Sequence, residues 1–312
     1  MGNTHSTLTG ASQADISAVL ETKSTSLGLA AWIAAPAATA RPNEGGNTVL
    51  ETGTPVNGVG GGAAALRLEK RTHLDEATYR IKLRNYGNGL GEIGWSFIPS
   101  RPPTKAMRGT SDNREANDDR SARRAKSRLR QLILAVSANH LLTLTYRANV
   151  TDFDQACGDL SKFVRQVKTK LPGWVYIAVA EQQERGAWHW HLAVCGRQNV
   201  ELLRQCWRSV VVEGNIDVSA PKGKSKYRQL ALVKYLGKYL AKGFTGEQRE
   251  LNGRRFRASL GIDVPIEYLT VPVDERGDVV GFALTSLHQA TGSVGFVWVA
   301  DDKPAGWACS WK

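Results

Sequence analysis

The stretch GAWHWHLAVCG, residues 186–196, sets two histidines one residue apart among aromatic and aliphatic side chains. In a β-strand successive side chains alternate faces. His189 and His191 therefore project together from one face, while Trp188, Trp190 and Leu192 share the other. Two neutral imidazoles on one strand face can converge on a single divalent ion. The same spacing is met by a pair that is merely solvated or hydrogen-bonded, because so short a motif also recurs by accident.

A second group of reactive residues lies downstream. In QLALVKYLGKYLAK, residues 229–242, Tyr235, Lys238, Tyr239 and Lys242 fall at i, i+3, i+4 and i+7 and share one helix face. Leu232, Leu236 and Leu240 form a neighbouring stripe suited to burial against a sheet. In isolation this pattern describes a surface helix whose tyrosines pack over lysine stems. A phenol is a poor nucleophile at its ordinary pKa of about 10. To attack a phosphate it needs nearby cations that favour the phenolate and a Lewis acid that polarises the target. Lysines one turn away and a metal at the histidine pair would supply both, so each constellation strengthens the other.

The elements that must position these groups alternate along the chain. Residues 78–101 read as a hairpin around a Gly/Asn-rich turn, 101–120 as a polar linker, and 121–138 as a helix with a basic first half. Then come a strand (141–147), a helix (152–171), a strand (174–181), the H-x-H strand, a helix (200–212), a strand (215–219), a basic loop, and the tyrosine helix. The order β-α-β-β-α-β-α predicts an α+β fold: a mainly antiparallel, ferredoxin-like sheet covered on one face by helices. The tail reads as strand-like runs, IEYLTVPV, VVGFALTSL and GSVGFVWVA, that extend or cover this sheet. Residues 1–65, rich in Gly, Ala, Thr and Ser, read as low-complexity and disordered. The domain reading is therefore 1–65 disordered, 66–120 hairpin and basic linker, 121–260 the site-bearing domain, and 261–312 a β-rich extension.

Charge points to the partner. The 312 residues carry a formal net charge of +12, with a pI near 9.7, which favours a polyanion. Ten Lys/Arg against four Asp/Glu lie in residues 101–130, and eleven against two in residues 222–257. So focused a distribution predicts a nucleic-acid footprint. The candidates for phosphate contact are Arg123, Arg124, Lys126, Arg130, Arg147, Arg185, Lys222, Lys224 and Lys226. The four cysteines show no zinc spacing and read as reduced thiols. MGNTHS fits an N-myristoylation pattern and residues 27–40 look like a signal-peptide core. The first lacks a membrane-associating companion; the second starts late and contains a proline, so no membrane partner is expected. GKS at 223–225 is no phosphate loop, because Val218 stands where that motif needs glycine.

H-W-H on the strand after E-Q-Q-E-R-G, the upstream L-L-T-L-T, and Y-L-G-K-Y-L-A-K on a later helix resemble, in order and spacing, the HUH endonucleases that initiate rolling-circle replication. The resemblance covers roughly residues 120–260. The hairpin GNGLGEIGWSF and the basic RRAKSRLR are also similar to initiators of filamentous-phage and related plasmid type. The resemblance implies a ferredoxin- or RRM-like HUH fold, Mg²⁺ or Mn²⁺ on His189 and His191, and Glu181 as third ligand. A hard cation also wants an oxygen ligand, and Glu181 lies across the hairpin. It further implies that a tyrosine attacks a DNA phosphodiester, leaving a 5′-phosphotyrosine and a free 3′-OH. Two tyrosines, each followed three residues later by lysine, look like the two-tyrosine class. Thr143 and Thr145 either support this site, contact the DNA backbone, or pack in the core. The implied partners are single-stranded or locally melted origin DNA and a host helicase and polymerase, in the cytoplasm of a bacterial host. A relaxase or transposase of the same superfamily would share the chemistry. A non-catalytic module that stacks bases on an exposed sheet face is the reading from another class.

Overall fold

An Asn-Gly pair sets the register of the first strands. Strands β1 (Thr78–Gly87) and β2 (Leu90–Ile98) pair antiparallel around Asn88 and Gly89. Both turn residues have positive φ, 53° and 72°, which a two-residue type I′ turn requires and Asn-Gly supplies with little strain. The computed structural model describes residues 78–100, 114–242, 256–272, 279–301 and 305–312. The low-complexity segment 1–65 lies outside them.

Helix α1 (Arg114–Ala135) follows, then β3 (His140–Tyr146), α2 (Phe153–Lys170), β4 (Tyr176–Gln182), β5 (Trp188–Val194), α3 (Val200–Val211), β6 (Gly214–Ser219) and α4 (Ser225–Lys242). The strands order β6-β3-β5-β4, all antiparallel, and a two-residue strand β7 (Arg257–Ala258) pairs outside β4. This is the expected α+β, ferredoxin-like arrangement. Side-chain caps fix where its two crossover helices start. Asp152 accepts hydrogen bonds from the amides of Asp154 and Gln155, and Asn199 from that of Leu202.

Helices cover both faces of this sheet, where one covered face was expected. On one face Leu142, Leu144, Trp190, Leu192 and Val194 pack against Phe163 and Val167 of α2 and Leu203 and Trp207 of α3. On the other, Ile177, Val179 and Ala193 meet Leu129, Leu132 and Ile133 of α1 and the Leu232, Leu236 and Leu240 stripe of α4. Two-sided burial explains why YIAVA in β4 is continuously apolar instead of alternating.

The tail departs further from expectation. VVGFALTSL is not a strand but the start of helix α5 (Val279–Thr291). Val279, Ala283 and Leu287 recur at i, i+4 and i+8 and are buried, a period that so short an apolar run conceals. Gly292, with φ 76°, ends the helix and donates its amide to the His288 carbonyl. Strands β8 (Glu267–Pro272), β9 (Phe296–Val299) and β10 (Ala305–Cys309) do not extend the ferredoxin-like sheet. They join the hairpin in a second antiparallel sheet, β8-β1-β2-β10-β9, with α5 on its inner face. Two helix starts also move. α1 begins at Arg114, inside the expected linker, and α4 at Ser225, just past Gly223 with φ 107°.

Glu92 of β2 ties the second sheet to α1. Its carboxylate is 1% exposed and accepts from Arg130 Nε at 2.9 Å, Tyr86 Oη at 2.9 Å and Trp307 Nε1 at 3.3 Å. The Arg130 guanidinium also lies 4.8 Å from the Trp307 ring centroid. Arg84 Nη1 lies 3.8 Å from the other Glu92 oxygen, so removing Arg130 leaves this buried carboxylate with only its weaker, longer ion pair. Arg130→Met is expected to destabilise the protein by about 3 kcal/mol in urea unfolding. Adding Glu92→Gln should recover a large part of that; a loss below about 0.5 kcal/mol in the single variant would mean that this pair does not hold the junction.

Candidate active site

The site occupies one end of the sheet face that α1 and α4 cover. Register places Glu181 of β4 opposite His189 of β5, and His191 between Val179 and Thr143. Thr143 in turn faces Asp217 of β6. At this end the apolar face gives way to a carboxylate, two imidazoles and a hydroxyl, all within the layer that α4 roofs.

His191 is held at both nitrogens. Nε2 lies 2.8 Å from Glu181 Oε2, and Nδ1 lies 3.3 Å from Thr143 Oγ1. A carboxylate can only accept, so Nε2 carries the proton and the Thr143 hydroxyl donates to Nδ1. Burial lowers the His191 pKa, with the hydrogen bond to Glu181 opposing it. His189 is also lowered, first by burial, then by His191 and Arg185. Both rings are therefore neutral near pH 7, as ligation requires. His189 Nε2 is buried and finds no hydrogen-bond partner among the described residues. The Gln183 amide stands 3.5 Å from its Nδ1.

The leucine stripe of α4 brings the tyrosines down onto this surface. The Tyr239 ring stacks on His191, centroids 4.6 Å apart at 20°, and Tyr235 meets the same imidazole edge-on at 5.5 Å and 90°. The Tyr239 hydroxyl donates to that of Tyr235 at 3.2 Å. Tyr235, 36% exposed, has its phenol pKa pushed up by burial, by Tyr239, and by the charges of Glu181 and Asp217. Lys238 Nζ lies 5.8 Å from the Tyr239 ring centroid. Lys242 ends α4, but its side chain is outside the described residues.

The donor set fits a divalent cation in chemistry. It offers two neutral imidazoles, one with an orphaned nitrogen, and a carboxylate across the hairpin. Among the described residues no three such side chains already converge as a metal cage. Ligation would exchange the Glu181–His191 hydrogen bond for metal bonds and move the His191 proton to Nδ1. The Thr143 hydroxyl can then accept instead of donate, so the same neighbour serves either tautomer.

The expected phosphate contacts divide. Arg123, Arg124 and Lys126 are exposed on α1, as are Lys222, Lys224 and Lys226 around the start of α4. Arg185 sits in the β4–β5 turn near His189. Arg147 is exposed, pairs with Glu213 at 3.5 Å, and lines an open cavity of about 560 Å³ with Thr145, Arg208 and Asn215. Arg130 stands apart, turned into the Glu92 junction. Trp190 is 1% exposed and Trp188 packs on Phe153, so neither presents an open base-stacking face. Sequence reasoning missed Asp217 and Gln183. The alternation of NIDVS could have given the face of Asp217, but only the strand order puts it beside Thr143.

Residues 139–244 match the sequence model of the replication-associated protein ORF2/G2P family. That segment is thus similar to replication-associated proteins, and it contains both histidines, Glu181 and both tyrosines. No curated protein and no solved structure matches the chain. Among the described residues no helix is long and apolar enough to cross a membrane.

If His189, His191 and Glu181 hold a divalent ion, its binding is measurable without catalysis. Mn²⁺ at a hundredfold excess over its dissociation constant should stabilise the wild type by about 2.7 kcal/mol in thermal unfolding. The His189→Ala/His191→Ala variant should show no such shift. Equal stabilisation of both proteins would place the ion elsewhere.

Proposed function

We propose that this protein initiates rolling-circle replication by nicking and rejoining origin DNA through Tyr235 and Tyr239. His189, His191 and Glu181 would hold Mg²⁺ or Mn²⁺. The observation that carries the reading is the pair of tyrosine hydroxyls 3.2 Å apart above His191. Two potential nucleophiles thus share one polar pocket. The family match at residues 139–244 supports replication as the setting.

The bound ion would polarise the scissile phosphate and offset its charge. The chain's own residues account for the rest. One phenol oxygen attacks phosphorus; a Tyr–O–P bond forms as the P–O3′ bond breaks, and the phenol proton ends on the departing 3′ oxygen. Tyr235 is protonated at neutral pH because burial and the Glu181 and Asp217 charges oppose its phenolate. Ligation of Glu181 would relieve one of those contributions. The exposed lysines and arginines of α1 and of the β6–α4 loop would hold the DNA backbone. After the first transfer the second hydroxyl is already beside the reacting phosphate, so it competes well with water for the next.

Two predictions separate chemistry from binding. Either single change, Tyr235→Phe or Tyr239→Phe, should still allow a first covalent adduct on an oligonucleotide, at unequal rates. Neither should release closed circles from a plasmid, and the double variant should form no adduct. Should Tyr239→Phe match wild type in both assays while Tyr235→Phe is inert, one tyrosine suffices. Adducts absent from every protein, wild type included, would leave a binding module. Replacing Arg123, Arg124 and Lys126 with alanine should instead weaken binding to all sequences. The slope of log K against log salt should become shallower by about 2, near 0.7 for each lost single-strand phosphate contact. Single-turnover cleavage at saturating protein should barely change; a sequence-selective loss would mean that α1 reads bases.

A further inference from the structure

The sheet built from the hairpin and the tail has one face packed on α5 and one face that no helix crosses among the described residues. Tyr79, Ile81, Leu83, Ile93 and Trp95 point inward to Val279, Ala283 and Leu287. Strand alternation therefore turns Arg80, Lys82, Gly94 and Ser96 outward. The register aligns Tyr268, Lys82, Gly94, Trp307 and Trp298 in one row across all five strands. Arg80 and Thr270 stand in the next row. At the far corner α1 meets this face through Arg130, beside Glu92 and Trp307.

The composition of the row is unusual for a solvated sheet face. Tyr268 is 55% and Trp298 42% exposed, although each ring would gain by burial. They mark its two ends, roughly 19 Å apart at about 4.8 Å between neighbouring strands. Between them Gly94 has no side chain, and the Trp307 indole fills that gap, its Cδ1 3.8 Å from where a Gly94 Cβ would lie. Lys82 sets its ammonium 5.9 Å from the Tyr268 ring centroid, and Arg80 is exposed beside it. Flat rings flanked by cations suit a chain that alternates planar apolar groups with negative charges. A single-stranded nucleic acid has that alternation, with bases to stack and phosphates to pair. An acidic peptide would lack the planar groups, and duplex DNA keeps its bases stacked inside.

We propose that this outer face is a second binding site, distinct from the tyrosine pocket, that takes single-stranded DNA by stacking bases on Tyr268 and Trp298 and pairing phosphates with Arg80 and Lys82. The inference needs only a single-stranded DNA partner, and it holds whether or not the tyrosines perform transfer. Its role would be to keep hold of strand away from the reacting phosphate.

The test is titration of full-length protein with a fluorescein-labelled twenty-residue oligothymidine, in chelator so that cleavage is silent. Tyr268→Ala/Trp298→Ala should weaken binding by about tenfold or more. Tyr268→Phe/Trp298→Phe, which keeps both rings, should bind within about twofold of wild type. Arg80→Gln/Lys82→Gln covers the case in which the alanine protein fails to fold; it should bind more weakly and with a shallower salt dependence. An oligonucleotide carrying 5-iodouracil should crosslink to β8 or β9 on illumination. The proposal is overturned if the folded alanine variant binds within about twofold of wild type, or if crosslinks fall only within residues 114–242. It is equally overturned if the alanine changes abolish self-association while DNA affinity stays constant, because the face would then bind a second copy. Tyr235→Phe/Tyr239→Phe should lose adduct formation and keep oligothymidine binding, so failure of either reading is visible without the other.

Discussion

Burial of β4 and β5 on both faces is the constraint on which the rest of the site depends. A strand covered from both sides has no water to satisfy polar side chains, so any that it carries must find partners inside. Glu181, His189 and His191 obey this rule in part. Glu181 and Thr143 together occupy both nitrogens of His191, while His189 keeps a buried nitrogen without a partner. The same two-sided packing fixes α4 above the sheet, because Leu232, Leu236 and Leu240 are buried where Val179 and Ala193 lie beneath. Helical spacing then leaves no choice about the tyrosines. Tyr235 and Tyr239 follow Leu232 and Leu236 by three residues, so they stand beside the stripe and meet His191 at the polar end of the face.

The parts of this arrangement legible in the sequence are those with a local signature. H-x-H gives a common face by alternation, Y-x-x-K-Y a common face by helical period, and Asn88-Gly89 a hairpin by turn chemistry. Sheet order is not local, and so Asp217 went unnoticed beside Thr143. The junction was hidden for the same reason: nothing near Arg130 in sequence announces that a glutamate thirty-eight residues away will claim it. The tail misled because α5 is apolar nearly all round its first turns, where short helices and buried strands look alike. Its closing signal, Gly292, opens the run GSVGFVWVA, which reads as strand.

The Glu92 junction gives the two sheets a common mechanical reference. Arg130 lies on α1, whose Leu129, Leu132 and Ile133 pack on the sheet that carries the histidines. Its guanidinium reaches a buried carboxylate and an indole of the other sheet. Two guanidinium nitrogens on one buried carboxylate oxygen have little freedom to slide, unlike an exposed ion pair. A strand held on the outer face of the second sheet would therefore be held at a defined offset from the tyrosine pocket.

The stacking of Tyr239 on His191 couples the proposed nucleophile to the proposed ligand more directly than shared location does. A ring 4.6 Å above the imidazole and nearly parallel to it restricts how that imidazole can tilt. Thr143 below fixes its rotation through Nδ1 while accepting either tautomer. His191 is thus oriented by Tyr239 and Thr143, neither of which has to move for Nε2 to trade Glu181 for another partner. The proton that ion binding would shift on His191 would travel within one ring and its hydroxyl neighbour. The tyrosine that would attack is placed by contact with the ring that would bind the ion, so a shift in either disturbs both.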